Sequence, residues 1–247
     1  MGNLTDELPK CRSLLHGTEL IQWQLDSLHE AGATSIAIVT GYLSDTFDFD
    51  LAYFHNSRWA ETNMVRTLME AEEWLRQDTC IVAYADIVYL PQAVSDLAAS
   101  PADLAITYDP RWLDLWSRRF DDPLDDAETF RLIGEHLAEI GGKPVTIEEI
   151  EGQFMGLLKF TPAGWASIRR YLDTLAPETL DKLDSTSLLK DLLRAGTSVH
   201  AVPVTTPWAE VDGEHDLRIL HDDPLLARTW KEARAHSASP SKPKNKI

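Results

Sequence analysis

Between Thr18 and Pro110 the chain switches repeatedly between two hydrophobic periodicities, and that alternation limits the fold more than any other feature of its 247 residues. "TELIQWQLDSLHEAG" places Ile21, Leu25 and Leu28 at i, i+4 and i+7, with Thr18 as N-cap and Gly32 just past the end, which predicts an amphipathic helix. "TSIAIVTGY" follows as a short β-branched run ending at Gly41, the kind of segment buried on both faces of a parallel sheet. "DLAYFHN" then reads as a strand. "TNMVRTLMEAEEWLRQ" reads as one helix with Val65, Leu68, Met69 and Leu75 inward, and "TCIVAYADIVYL" as the most apolar strand of the chain. A short helix, "LPQAVSDLAAS", and another strand, "DLAITYDP", complete the run. This order predicts an α/β fold with an open, mostly parallel sheet and helices on both faces.

Beyond Pro110 the pattern loosens. "RWLDLWSRRFDDPLDDAETFRLIG" is charged and aromatic, so residues from about 110 to 150 read as an insertion or lid containing one strand, "EHLAEIGG". A glycine-interrupted strand, "EGQFMGLLKFTP", precedes the helices "PAGWASIRRYLDTL" and "STSLLKDLLRAG". The strand "SVHAVPVT", the segment "PWAEVDGEHDL" and a terminal helix to about His236 follow. One domain over 1–236 is expected, with the Ser-, Pro- and Lys-rich tail 237–247 disordered.

The formal charge of −17 argues against a polyanionic partner, since proteins that bind nucleic acid or anionic membrane carry a basic face. A small anionic ligand is still compatible, because local cations or a metal outweigh the distant field. Cys11 and Cys80 have neither zinc-site spacing nor the number of a disulfide framework, so free thiols in a reducing cytoplasm are expected. No apolar run approaches the ~20 residues needed to cross a bilayer.

Asp86 ends the apolar stretch "IVAYADIVYL". There it either presents its carboxylate at the carboxyl edge of the sheet, where open α/β folds bind ligands, or caps the next turn. Glu210 and Asp212 in "PWAEVDGEHDL" are two apart, so on an extended segment both point one way, with Trp208 on the same face. Carboxylates from two strand ends suit Mg²⁺, which takes a couple of carboxylates plus phosphate oxygens and waters; the alternative is that Asp212 caps the helix near Glu214. Lys10, behind Pro9 in a loop, is either a phosphate contact or a solvated lysine. Asn63 in "ETNMV" caps its helix through its amide oxygen or serves a ligand. The acidic stretch Asp121 to Glu128 is a solvated loop, or folds over a pocket with Trp112 and Trp116 to receive a cation. The chain has no G-x-x-x-x-G-K-[ST], G-x-G-x-x-G, G-x-S-x-G or H-E-x-x-H motif, and its eight histidines show no ligand spacing.

Six segments, taken in order, resemble the nucleotidyltransferases of the sugar-phosphate and phosphocholine cytidylyltransferase type: "PKCRSLLHGTELIQWQLDSLHEAGATSIAIVTGY", "TNMVRTLMEAEEWL", "YADIVY", "EGQFMGLLKF", "STSLLKDLL" and "WAEVDGEHDL". The resemblance runs from about residue 8 to 220, and the order of the segments makes it specific where each alone is weak. It implies a Rossmann-like nucleotide-diphospho-sugar transferase core that joins a nucleoside triphosphate to a phosphorylated acceptor and releases pyrophosphate. On that resemblance Asp86 and Asp212 are the Mg²⁺ ligands, Lys10 is the phosphate-contacting lysine of a P-K motif, and Ala85 and Asp86 lie at the nucleotide. Asn63 matches the "TN" of the phosphocholine-like branch, so CTP is expected; Glu151, Gln153, Trp208 and Glu210 are expected on the acceptor side, beneath the 110–150 lid. The acceptor's own phosphate or phosphonate oxygen is an anionic nucleophile, so no His or Cys base is required.

The expected acceptors are phosphocholine-like compounds or phosphonates such as phosphonoformate or 2-aminoethylphosphonate, with sugar 1-phosphates as the runner-up; a homodimer is left open. Two departures from the family pattern stand out. Ser187 replaces the Asp of a "TDLL" segment. The opening strand and "L-A-A-G-x-G-x-R" loop are not in the sequence, which begins just after where that Arg would fall. The expectation is an upstream start, with unpaired strand edges and an apolar groove where the opening strand would lie. The alternative is a non-catalytic relative acting as a binding or assembly subunit.

Overall fold

The computed structural model describes residues 8–222, so the tail and the helix expected beyond His221 lie outside the described residues. The described chain opens with a tight hairpin of β1 (Leu14–Leu15) and β2 (Thr18–Glu19), whose turn residues His16 and Gly17 both have positive φ. Two left-handed residues in a row match the twist of the flanking strands, and glycine meets that demand without strain. Thr18 is thereby committed to β2 rather than to capping. Helix α1 (Leu20–Glu30) starts after Glu19, with the Leu20 amide bonded back to the Ser13 carbonyl.

Strands β3 (Ala37–Thr40) and β4 (Ala52–His55) pair in parallel as expected. The helix expected over 62–77 is two: α2 (Met64–Met69) and α3 (Glu72–Gln77). The chain turns at Glu70 and Ala71, whose amides bond three residues back, and α3 reorients onto a later helix through the ion pair of Glu72 with Arg169, 3.0 Å.

The apolar stretch from 79 to 90 divides as well, into β5 (Cys80–Ala83) and β6 (Ile87–Tyr89), which enter different ladders. Helix α4 (Pro91–Ala99), strand β7 (Leu104–Asp109) and helix α5 (Trp112–Arg119) come next. β8 (Phe130–Ile133), missed by sequence reading, and β9 (His136–Ile140) form a hairpin, and the bent strand β10 (Gln153–Phe160) follows. The rest is α6 (Pro162–Leu172), α7 (Pro177–Lys182), α8 (Ser185–Arg194), β11 (His200–Pro203), β12 (Trp208–Glu210) and α9 (Glu214–His221).

The main sheet runs β5-β10-β7-β11-β9-β8. β7 and β11 are parallel, β10 runs antiparallel to both its neighbours, and β8–β9 is an antiparallel edge. Within the segment 110–150, β8 and β9 join the main sheet, β9 reaching β11 at His136 and His200. The principal core joins the sheet to helices α4, α5, α6 and α8 through residues such as Leu97, Ile106, Trp116, Phe160, Trp165 and Leu189. Among the described residues β3 pairs with β4 alone and β5 with β10 alone. Among the described residues no helix is long and apolar enough to cross a membrane.

Candidate active site

The division of the 79–90 stretch creates the site. β6 pairs antiparallel with β12, Ile87 facing Glu210, and the ladder continues into the Val211 amide bonding the Asp86 carbonyl at 2.9 Å. Asp86 thus lies in the turn between two ladders, not at a strand end, and the register sets it against residues 124 and 126 positions later in sequence, Glu210 and Asp212. The three carboxylates offer oxygens that all lie within 4.8 Å of one another. Asp212 does not cap the last helix: Asp216 accepts from the Asp212 and Gly213 amides, at 2.8 and 3.0 Å, and leaves the Asp212 carboxylate for the cluster.

Lys10 enters from a single helical turn behind Pro9. Its ammonium donates to Asp86 Oδ2 at 2.6 Å and to Asp212 Oδ1 at 2.7 Å, bridging the two carboxylates picked out in the sequence. Arg119, the last residue of α5, was not singled out at all, yet it organises the other side. Its buried guanidinium donates to Glu210 (3.0 Å), Asp212 (2.7 Å) and Asp216 (3.0 Å), and lies over the Trp116 ring. Sequence offered little to distinguish it from the adjacent Arg118; only the helical register of "WLDLWSRRF", which turns Trp112, Leu115, Trp116 and Arg119 to one face, would have placed it inward.

The electrostatics follow from this packing. Burial and the nearby charge of Asp212 push the Glu210 carboxyl up to about 7, against the pull of Arg119. Burial alone would raise Asp212, but Lys10 and Arg119 outweigh it and hold its carboxyl below the usual range. Burial likewise opposes the charge on Lys10, and the two aspartates more than restore it, so its pKa is raised. Asp86 Oδ1 is buried without a hydrogen-bond donor. An orphaned carboxylate oxygen of that kind is costly unless a cation meets it, and three clustered carboxylates are a donor set that a hard divalent ion such as Mg²⁺ accepts. Asp212, half exposed, leaves the cluster open to a ligand.

Asn63 uses its amide structurally, accepting from the Met64 amide at 2.7 Å and donating to the Lys182 carbonyl at 3.3 Å. Ala85 is exposed in the turn beside Asp86. Trp208 is buried and donates to Asp109 at 2.8 Å, so its ring is a wall of the core. Glu151 accepts from the Leu132 amide at 2.6 Å, on the outer edge of β8. Gln153 is buried and exchanges two hydrogen bonds with the backbone of Glu128. Trp112 and Trp116 do not wait for an external cation: both are buried, and Trp116 carries the protein's own Arg119. Cys11 and Cys80 are free thiols.

Residues 1–153 match the model of the MobA-like NTP transferase domain. The chain belongs to that family. Over 234 residues it is 33% identical to the CTP:phosphoglutamine cytidylyltransferase of Campylobacter jejuni, covering 87% of this chain and 92% of that protein. A shorter similarity, 28% over 94 residues, covers 36% of this chain and 38% of the 2-aminoethylphosphonate cytidylyltransferase of Lancefieldella rimae. The inositol-1-phosphate CTP transferase from T. maritima superposes with a TM-score of 0.73 over 94% of this chain and 89% of its own, at 15% identity, and so shares the fold. The α/β fold is thus shared with that CTP transferase, and the chain that carries the carboxylate cluster is of the MobA-like NTP transferase family.

Proposed function

We propose that the protein is a Mg²⁺-dependent cytidylyltransferase that moves CMP from CTP to a small phosphorylated or phosphonate acceptor and releases pyrophosphate. The observation that carries the reading is the cluster of Asp86, Glu210 and Asp212, with Asp86 Oδ1 lacking a donor and Lys10 reaching two of the three carboxylates. The relatives named for CTP support the choice of nucleotide.

Asp86 and Asp212 would hold Mg²⁺ with Glu210 beside them, and the ion would supply charge screening where two polyanions approach. An acceptor oxygen forms the new bond to the α-phosphorus, the bond to the bridging oxygen breaks, and its electron pair leaves with pyrophosphate. That oxygen is already anionic, so no proton has to be removed, in keeping with a cluster that contains neither histidine nor cysteine. Lys10 is the cation best placed for a phosphate oxygen once Mg²⁺ competes for its carboxylates, and Arg119 keeps Glu210 and Asp212 in position.

The test is pyrophosphate release with CTP and a panel of phosphorylated and phosphonate acceptors, with and without Mg²⁺. Asp86→Ala should reduce the rate at least about a hundredfold, equivalent to ~2.7 kcal/mol of barrier. A loss within about tenfold removes the metal-site assignment. Calorimetry showing CTP bound no better than ATP or UTP would remove the cytidylyl assignment.

A further inference from the structure

The carboxylate cluster rests on a short ladder. Among the described residues β12 pairs with β6 alone, Trp208 facing Tyr89, Ala209 facing Val88 and Glu210 facing Ile87, and this two-stranded sheet is separate from the main one. A two-stranded ribbon is marginal by itself, and a slip of one residue would carry Glu210 to the opposite face. The register therefore needs a pin from outside the ladder.

Asp109, the last residue of β7 in the main sheet, is placed to supply it. Its side chain is buried and accepts two hydrogen bonds, from the Arg111 amide at 2.7 Å and from the Trp208 indole at 2.8 Å. Both donors are uncharged. Burying a carboxylate on uncharged donors is costly, so an apolar residue would suit the end of β7 better if packing were all that is asked of it. The Arg111 bond orients the carboxylate and leaves its other oxygen for the indole. A second link runs the same way: the Arg111 guanidinium donates to the Thr205 carbonyl at 2.7 Å, on the segment that leads into β12.

Two routes lead from Asp109 to the cluster. Along the chain, Trp208 and Glu210 are two apart on an extended strand and so share a face, and Asp212 follows two residues later. Through space, the Trp208 ring lies 6.3 Å from that of Trp116, over which the Arg119 guanidinium sits at 5.3 Å. Arg119 in turn donates to Glu210, Asp212 and Asp216. An indole held by Asp109 thus fixes both the strand that carries two of the carboxylates and the wall behind the arginine that holds them.

We infer that Asp109 is a positioning residue for the metal site: by holding the Trp208 indole it sets the register of β12 and so keeps Glu210 and Asp212 facing Asp86. The inference rests on the metal-site reading above and specifies what aligns that site. Asp109 bonds none of the three clustered residues directly, so its effect reaches them through Trp208.

The experiment titrates Mn²⁺, as a probe of the Mg²⁺ site, into the whole protein and into Asp109→Asn, Trp208→Phe and the double variant, by calorimetry with and without CTP. Asp109→Asn leaves one acceptor oxygen for two donors, and Trp208→Phe removes the indole N–H. Each should weaken Mn²⁺ binding at least about tenfold, and the double variant should fall within about threefold of the weaker single one. Asp109→Asn, nearly isosteric, carries the test should Trp208→Phe fold poorly. Hydrogen–deuterium exchange of the metal-free proteins is the second measurement: in Asp109→Asn the amides of β12 should exchange at least about tenfold faster, while those of β7 and β11 change by less than about threefold. Mn²⁺ affinity at the parent value, β12 exchange at the parent rate, losses that multiply in the double variant, or exchange raised equally in β7, β11 and β12 each overturn the inference. If the parent binds no Mn²⁺, the metal-site reading fails instead, and the exchange measurement alone decides whether Asp109 pins β12.

Discussion

Removing the Arg119 guanidinium, as in Arg119→Met, should be the most damaging single change to the site that touches none of its carboxylates. The guanidinium is 2% exposed and meets three carboxylates at 2.7–3.0 Å. Breaking a buried ion pair by deleting one partner costs about 3–5 kcal/mol, because the remaining charge is left uncompensated. At ~2–4 °C per kcal/mol for a domain of this size, the melting temperature should fall by roughly 6–20 °C.

The pH dependence gives the cause away. Glu210 titrates at about 7 in the folded protein, above its ordinary value, so the folded state prefers it protonated. Its stabilising contribution is complete below the ordinary carboxylate range and is lost as pH rises through about 7. Arg119 opposes this loss, so without it the penalty is greatest at alkaline pH and relaxes in mild acid. Calorimetric melts of both proteins at about pH 8 and about pH 5 measure the gap at each end. Divalent cations, binding the same carboxylates, should narrow it near pH 8. A gap below about 2 °C at pH 8, or one that widens on acidification, would refute the electrostatic account.

Three further expectations concern the surroundings. Gln153→Met leaves the Glu128 amide and carbonyl without partners, at about 1–3 kcal/mol. Steady-state kinetics should show the acceptor KM rising while the KM for CTP holds. Gly141→Ala places a Cβ 2.6 Å from the Thr186 methyl at a φ of +76°, and should cost about 1–3 kcal/mol in denaturant titration; a neutral result would mean that the loop moves freely. Burial pushes the Cys11 thiol from 9.0 up to about 11, so at about pH 8 its thiolate is roughly a hundredfold scarcer than that of an ordinary thiol. Iodoacetamide followed by mass spectrometry should label Cys11 far more slowly in the native than in the unfolded chain.

The parts of the site visible in sequence are those with a local signature. Asp86 stands out as a lone carboxylate in an apolar run, Glu210 and Asp212 as a pair at strand spacing, and Lys10 by following a proline. The α/β class was legible for the same reason, since most of the longer strands and helices announce themselves within a dozen residues. The errors fall where local pattern and tertiary pairing compete. Residues 79–90 are apolar apart from Thr79 and Asp86 and read as one strand, but β5 is drawn to β10 and β6 to β12, and the chain must break between them. Thr18 suits a cap by composition, and the hairpin claimed it instead.

What the sequence determined alone is the inventory: alternating strands and helices, a surplus of acid, and a few carboxylates and a lysine in positions where solvation alone does not explain them. What only the tertiary structure decided is their company. The β6–β12 register joins residues more than 120 positions apart into one carboxylate cluster, and an arginine from α5 closes it. Gln153 holds the backbone of Glu128, 25 positions earlier in the sequence. Such contacts are fixed by which surfaces bury best against one another. Hydrophobic periodicity records which face of an element turns inward, but not which distant element it meets.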